Sequence, residues 1–339
     1  MSEKAIASDA FIKALPKVEL HVHLEGSIRP ATLLELAKRH NEPLPADTVE
    51  GLEEWYTFTD FPHFAEIYQT LSRCVQTVDD IELIARDFLQ GQADQNIRHS
   101  EVTYTAHTIW KNTDIPFEKQ LAALNKARDW GEKELGVSAG FIIDIPRDWA
   151  DEKESRMIGD WVVAHHGDGV IALGLAGYEV GFPPEDYAAP FDHAAKHDVP
   201  AVVHAGETMG PDSIWGAMDR LQSVRIGHGV RCLEDRKLVD TLRTRQVPLE
   251  VCPTSNVCLG VADSIDSHPL PDLIEEGLYV TINTDDPPMF GTTLNDELIK
   301  TTHAFGFSED DLRHFMLQAA RASLLPEADR KALEDSMSE

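Results

Sequence analysis

Eight short runs rich in β-branched residues constrain this 339-residue chain more than any other feature. They fall at 18–24, 97–105, 137–145, 170–175, 199–204, 224–228, 248–252 and 279–283, and most are separated by stretches with helical spacing, such as 117–135 and 233–243. A parallel strand pair needs a long crossover, and a helix supplies it, so strand–helix alternation builds parallel sheets. Eight such units predict an α/β fold, a (β/α)8 TIM-type barrel whose chemistry gathers at the carboxyl ends of the strands. The competing doubly wound sheet would carry a glycine-rich phosphate loop after a strand, and none of the runs leads into one. No Pro/Gly/Ser-rich linker, low-complexity tract or repeat divides residues 1–339, which read as a single domain. The mostly helical stretch at about 31–95, with an amphipathic pattern at 81–90, reads as an insertion after the first strand and a candidate lid. Its aromatic residues Trp55, Tyr56, Phe58, Phe61, Phe64 and Tyr68 read as helix packing rather than as a substrate wall.

The polar residues at the ends of these runs carry the chemistry. The first run ends in Val18-Glu19-Leu20-His21-Val22-His23-Leu24-Glu25-Gly26. Side chains alternate along a strand, so His21 and His23 share one face and form half of a metal cage. A lone His-x-His closes no site, but later strand ends add Gly177-Tyr178-Glu179, His204-Ala205-Gly206-Glu207, Gly227-His228-Gly229 and Asn283-Thr284-Asp285-Asp286. Singly, each reads as a core histidine or a turn. Together they supply His204 as a third imidazole and Asp285 as an oxygen ligand, leaving a position for water on one divalent metal, zinc first and another transition ion second. Such a metal lowers the pKa of water from ~15.7 to about 7. Glu207 can face the same mouth without being a ligand, and His228 can bind or deprotonate the water. Ser255 and Asn256, after the seventh run, can cap a helix or support the site. His63, His99 and His107 have no partner at motif spacing and read as structural, and His165-His166 reads as an exposed loop.

The net charge of −29, from 59 acidic against 30 basic residues, repels phosphates and so excludes nucleic acid and anionic membranes as partners. Cys74, Cys232, Cys252 and Cys258 fit neither a Cys-x-x-Cys pattern nor a disulfide scaffold, which points to reduced thiols. With no signal-peptide pattern at the start and no run near the ~20 apolar residues of a membrane span, a cytoplasmic location is expected. The oligomeric state is left open, a homo-oligomer included.

The stretches LPKVELHVHLEGSIRP, HAGETMGPDSIWGAM, RIGHGVR, VCPTSN and VTINTDDPPMFGTTL, spread over residues 15–294, resemble the adenosine deaminase family of metal-dependent aminohydrolases, in the wider amidohydrolase superfamily. The resemblance implies a barrel that replaces a purine 6-amino group by oxygen and releases ammonia. It implies metal ligands at His21, His23, His204 and Asp285, a proton shuttle at Glu207 beside purine N1, and a water-orienting histidine at His228. Substrate contacts are implied at His23, Glu25, Gly177 (its N–H at N3), Glu207 and Asp286 (at N7), with Asp285 counted among the catalytic groups. Two positions depart from the family pattern: Glu25 stands where an aspartate holds a ribose 5′-hydroxyl, and Tyr178 stands where an acid is usual. Adenosine or deoxyadenosine is the first substrate expected, with aminodeoxyfutalosine, a menaquinone precursor, or free adenine as alternatives. A catalytically silent barrel that only binds is the reading from outside enzymology.

Overall fold

The computed structural model describes residues 5–58 and 61–337, without the side chains of Phe61 and Pro62, so Thr59, Asp60 and the Phe61 ring lie outside the described residues. All eight runs are strands: β1 Lys17–His23, β2 Ile97–Tyr104, β3 Ser138–Pro146, β4 Val170–Ala176, β5 Ala201–Ala205, β6 Arg225–His228, β7 Leu249–Val251 and β8 Val280–Ile282. Each pairs parallel with the next, in the order β1 to β8. Strands covered on both faces must be apolar almost throughout, and Val170, Ala172, Leu173 and Leu175 of β4 are all fully buried.

Closing the ring falls to residues just past β8. Asp285 N–H donates to the His21 carbonyl at 3.1 Å, and His23 N–H donates to the Asp285 carbonyl at 2.9 Å. Because β8 is only three residues long, the Asn283 carboxamide oxygen continues the ladder. It accepts the N–H groups of Leu20 and His21 at 2.9 and 3.2 Å. The register of β1 against β2 shifts between Glu19 and Val22, an irregularity of the kind that re-aims side chains next to active sites.

Inside the barrel part of the filling is ionic, beside the apolar Ile142, Ala172 and Val202. Arg225 of β6 places Nη1 2.5 Å from Glu101 of β2 and Nε 2.5 Å from Glu250 of β7, all fully buried. The second oxygen of Glu250 lies 2.8 Å from His21 Nδ1, so this column of charge ends at the site.

The predicted insertion contains the helices Pro30–His40, Val49–Tyr56, Phe61–Cys74 and Val78–Asp94. The last begins at a reciprocal cap: Asp80 N–H donates to the Thr77 hydroxyl, and the Asp80 carboxylate accepts the Thr77 N–H at 2.8 Å. The same carboxylate takes Arg39 and His40 at 2.6 Å each, tying the first helix of the segment to the last. One expectation needs correcting: His165 is the final residue of helix Glu152–His165, its ring edge-on to Phe117, and of the pair only His166 is exposed, bridged to Val170. Among the described residues, no helix is long and apolar enough to cross a membrane.

Candidate active site

Four side chains from two strand ends and the turn after β8 converge. His21 and His23 at the end of β1, His204 on β5 and Asp285 bring one donor atom each to within 4.8 Å of one another, and all four are buried. The tautomers are set from behind. His21 Nδ1 faces Glu250 at 2.8 Å and His204 Nδ1 faces the Leu175 carbonyl at 3.1 Å, so the Nε2 lone pairs of both rings point inward. His21 Nε2 is buried without a hydrogen-bond partner, and the Nε2 atoms of His23 and His204 lie 3.1 Å apart. Asp285 Oδ1 lies 3.4 and 3.3 Å from Nε2 of His21 and His23, and Oδ2 accepts the Ser255 hydroxyl at 2.7 Å. Three imidazole nitrogens and a carboxylate oxygen around one point fit a divalent cation. Burial opposes charge on His21 and His23, yet the carboxylates of Asp285, Glu250 and Asp286 raise them to about 10 and about 9. Asp285 holds a left-handed φ of 68° and His228 one of 62°. These non-glycine outliers at two strand ends have a backbone conformation that persists only where surrounding structure enforces it.

Beside the donor set, Glu207 sits on a loop organised by Glu179. The buried Glu179 carboxylate accepts N–H groups from Gly206, Glu207 and Thr208 at 3.0, 2.9 and 2.9 Å, and the Ser213 hydroxyl at 2.6 Å. Burial and the charges of Asp285 and Glu179 push Glu207 well above the usual carboxylate range, which favours its protonated form. Its Oε1 is buried with no partner, 3.7 Å from His228 Nε2, and His228 Nε2 is 3.8 Å from Asp285 Oδ2. Burial and the charge of Asp285 likewise raise Asp286 to about 7. Its Oδ1 has no partner, and it packs against Gly26, where a Cβ would overlap the carboxylate.

These groups line a cavity of about 340 Å³. Gly177 contributes backbone at φ 91°, and a Cβ there would press on Asp148. Among the described residues that line the cavity there is no Lys or Arg, whereas Asp144, Asp148, Glu207 and Asp286 all face it. A larger cleft of about 710 Å³ opens between helix Val78–Asp94 and residues 287–294, but it contains none of the donor set.

The aromatic insertion divides in two, which corrects the sequence expectation for Phe64 and Tyr68. Both line the cavity, and the Phe64 ring stacks on Phe290 at 5.8 Å. Tyr56 instead is buried, donating its hydroxyl to the Ile28 carbonyl at 2.9 Å. Glu25 is not among the lining residues. Fully buried, it accepts the Thr105 N–H at 3.0 Å and the Tyr68 hydroxyl at 3.4 Å, and burial raises it to about 8. Tyr178 stands half-exposed at the mouth.

Sequence reasoning missed Glu250, Asp144 and the holding role of Glu179. The available signal is an acid inside an otherwise apolar strand, as in Leu249-Glu250-Val251 and Ile142-Ile143-Asp144-Ile145. Such a carboxylate is buried by its strand and therefore needs a specific partner.

Residues 16–339 match the family model described as adenosine deaminase. The aminodeoxyfutalosine deaminase of Streptomyces coelicolor is 35% identical over 331 residues, 97% of this chain and 85% of that protein. The crystal structure of adenine deaminase from Arthrobacter aurescens superposes with a TM-score of 0.90 at 32% identity, covering 96% of this chain and 98% of that one. An amidohydrolase from Burkholderia ambifaria, solved with bound zinc, also gives 0.90, at 26% identity over 99% and 95% of the two chains.

Proposed function

We propose that this chain, which belongs to the adenosine deaminase family, hydrolyses the 6-amino group of an adenine nucleoside, with aminodeoxyfutalosine as its substrate. The observation that carries the reaction class is a buried Glu207, its carboxyl pushed well above the usual range, beside the donor set of His21, His23, His204 and Asp285. A divalent metal held by those four, zinc as first choice, would supply activated water.

The remaining work belongs to the chain's own groups. Attack at C6 makes N1 basic, and a protonated Glu207 donates there; one proton of the attacking water then passes through Glu207 to the leaving nitrogen, and the other returns to Glu207 as the 6-oxo group forms. Water thus becomes the 6-oxo oxygen, and the amino group leaves as ammonia. Purine N7 can only accept a hydrogen bond. Asp286, raised to about 7, retains a proton with which to donate to it. Gly177 offers its N–H to N3.

For the substrate's other end, support comes from the wall chemistry. The absence of Lys and Arg among the described lining residues disfavours a phosphate. The cavity, at the low end of the ~300–1,000 Å³ usual for small-molecule sites, opens past Phe64, Trp149 and Tyr178, aromatic surface suited to a group larger than a hydroxymethyl. Adenosine falls behind because Glu25, the acid aligned with a 5′-hydroxyl contact, is engaged by Thr105 and Tyr68. Free adenine is the second reading, favoured by the likeness to the Arthrobacter enzyme. Ammonia release from aminodeoxyfutalosine, adenine and adenosine by the metal-loaded protein tests the order. The proposal requires kcat/KM for aminodeoxyfutalosine to exceed the others at least tenfold, about 1.4 kcal/mol of transition-state binding, and a preference for adenine or adenosine overturns it.

A further inference from the structure

The polarity of one hydrogen-bond chain behind the site follows from a backbone group that cannot reverse. The N–H of Leu270 donates to His268 Nδ1 at 3.0 Å. His268 Nδ1 is therefore the acceptor nitrogen, and in the neutral ring the proton sits on Nε2. Burial lowers His268 to about 4, so the ring is neutral at working pH. Its Nε2 lies 3.1 Å from Asn256 Oδ1, and Asn256 Nδ2 lies 3.3 Å from His228 Nδ1. Turning the Asn256 amide over would set two donors against each other at His268, so the amide orientation is also fixed. All three side chains are buried, with exposures of 3% for His268, 0% for Asn256 and 1% for His228.

We propose that Asn256 and His268 are positioning residues that lock His228 in the Nε2–H tautomer, making it a fixed hydrogen-bond donor to the attacking oxygen and not the base that deprotonates it. The proposal rests on the deaminase reading of the site, and it chooses between the two roles open to His228. Asn256 Nδ2 presents a proton to His228 Nδ1, so that nitrogen must accept and Nε2 must carry the hydrogen. Nε2 faces Glu207 Oε1 at 3.7 Å and Asp285 Oδ2 at 3.8 Å, both beyond direct hydrogen bonding, and all three residues line the cavity. A nitrogen that already bears hydrogen cannot take a proton from that oxygen, which leaves Glu207 as the proton carrier.

Nitrogen-15 spectra of protein carrying labelled histidine, recorded metal-free and zinc-loaded, read the tautomer without reference to any substrate. Wild-type His228 should show a protonated Nε2 and an unprotonated Nδ1. In Asn256→Asp the carboxylate accepts where the amide donated, so the proton should move to Nδ1. An imidazole in the wrong tautomer costs about 10⁴-fold in a serine-protease triad. Here kcat should fall at least about 100-fold, with KM within threefold and metal content unchanged. A wild-type His228 protonated on Nδ1 overturns the proposal, as does an Asn256→Asp protein that keeps either its tautomer or its kcat within threefold. Should that variant fail to fold, the wild-type spectrum alone decides. Inactivity on every purine offered would overturn the substrate reading while leaving the spectral test intact.

Discussion

Glu179 and Glu207 are held together through backbone, the carboxylate of the first accepting the main-chain N–H of the second at 2.9 Å. Two acids are thereby neighbours without sharing a proton, since Glu179 spends its oxygens on Gly206, Glu207, Thr208 and Ser213. Its negative charge is one reason that Glu207 retains its proton. Glu179→Gln should loosen the loop, because an amide turns N–H groups towards N–H donors. Each buried hydrogen bond to a charged group is worth about 1.5–3 kcal/mol. The expected result is at least a tenfold fall in kcat with metal content unchanged, followed by steady-state kinetics and elemental analysis.

Metal retention and proton transfer should separate by mutation. Elemental analysis of unchelated protein should find near-stoichiometric metal, and His23→Ala, which removes one of the four donors, should lose most of it. Glu207→Gln should retain metal and fold while losing ~10²–10⁴ in turnover, the usual contribution of a positioned acid–base group. Turnover within threefold of the parent would remove Glu207 from the role of proton carrier. Because an ion that binds only the folded state stabilises it by about 2.7 kcal/mol at a hundred times its Kd, chelation should also lower Tm, measured by calorimetry.

Arg225 carries the interior of the barrel between Glu101 and Glu250. Removing one partner of a buried ionic group leaves charge without compensation, typically at ~3–5 kcal/mol. Arg225→Met should destabilise by that amount in urea unfolding. It should also weaken metal binding, because Glu250 orients His21. A variant with unchanged stability would mean that the column is filling rather than support.

The strands are legible because parallel strands buried on both faces have to be apolar along their length, and β4 shows the pattern residue by residue. The donor quartet is legible because a histidine or aspartate at a strand end in a barrel points to the mouth, as His204 and Asp285 do. Illegible were relations between elements. Which aromatic faces the cavity depends on how helix Phe61–Cys74 lies over the turn Glu25–Ser27, so Phe64 and Tyr68 cannot be told from Tyr56 by spacing. Glu25 aligns with a substrate contact, yet it is engaged by Thr105, eighty residues away in sequence, and by Tyr68. His268 belongs to no motif and acquires meaning only through Asn256 and Leu270.

His268 also sets an acid limit on stability. Burial holds its folded pKa at about 4, whereas an unfolded histidine titrates near 6.5. Between those values the unfolded chain binds more protons than the folded one, so stability from this group is complete above about 6.5 and is lost as pH falls towards 4. The slope approaches about 1.4 kcal/mol per pH unit in the middle of the window. The Asp and Glu residues titrate there too, so the informative quantity is a difference between proteins. In His268→Gln the titrating ring is gone, and urea unfolding from pH 7 to 4.5 should give a flatter decline than the wild type, by one to a few kcal/mol over the range. Parallel curves would mean that His268 takes up its proton in the folded state, which would also break the acceptor at Leu270.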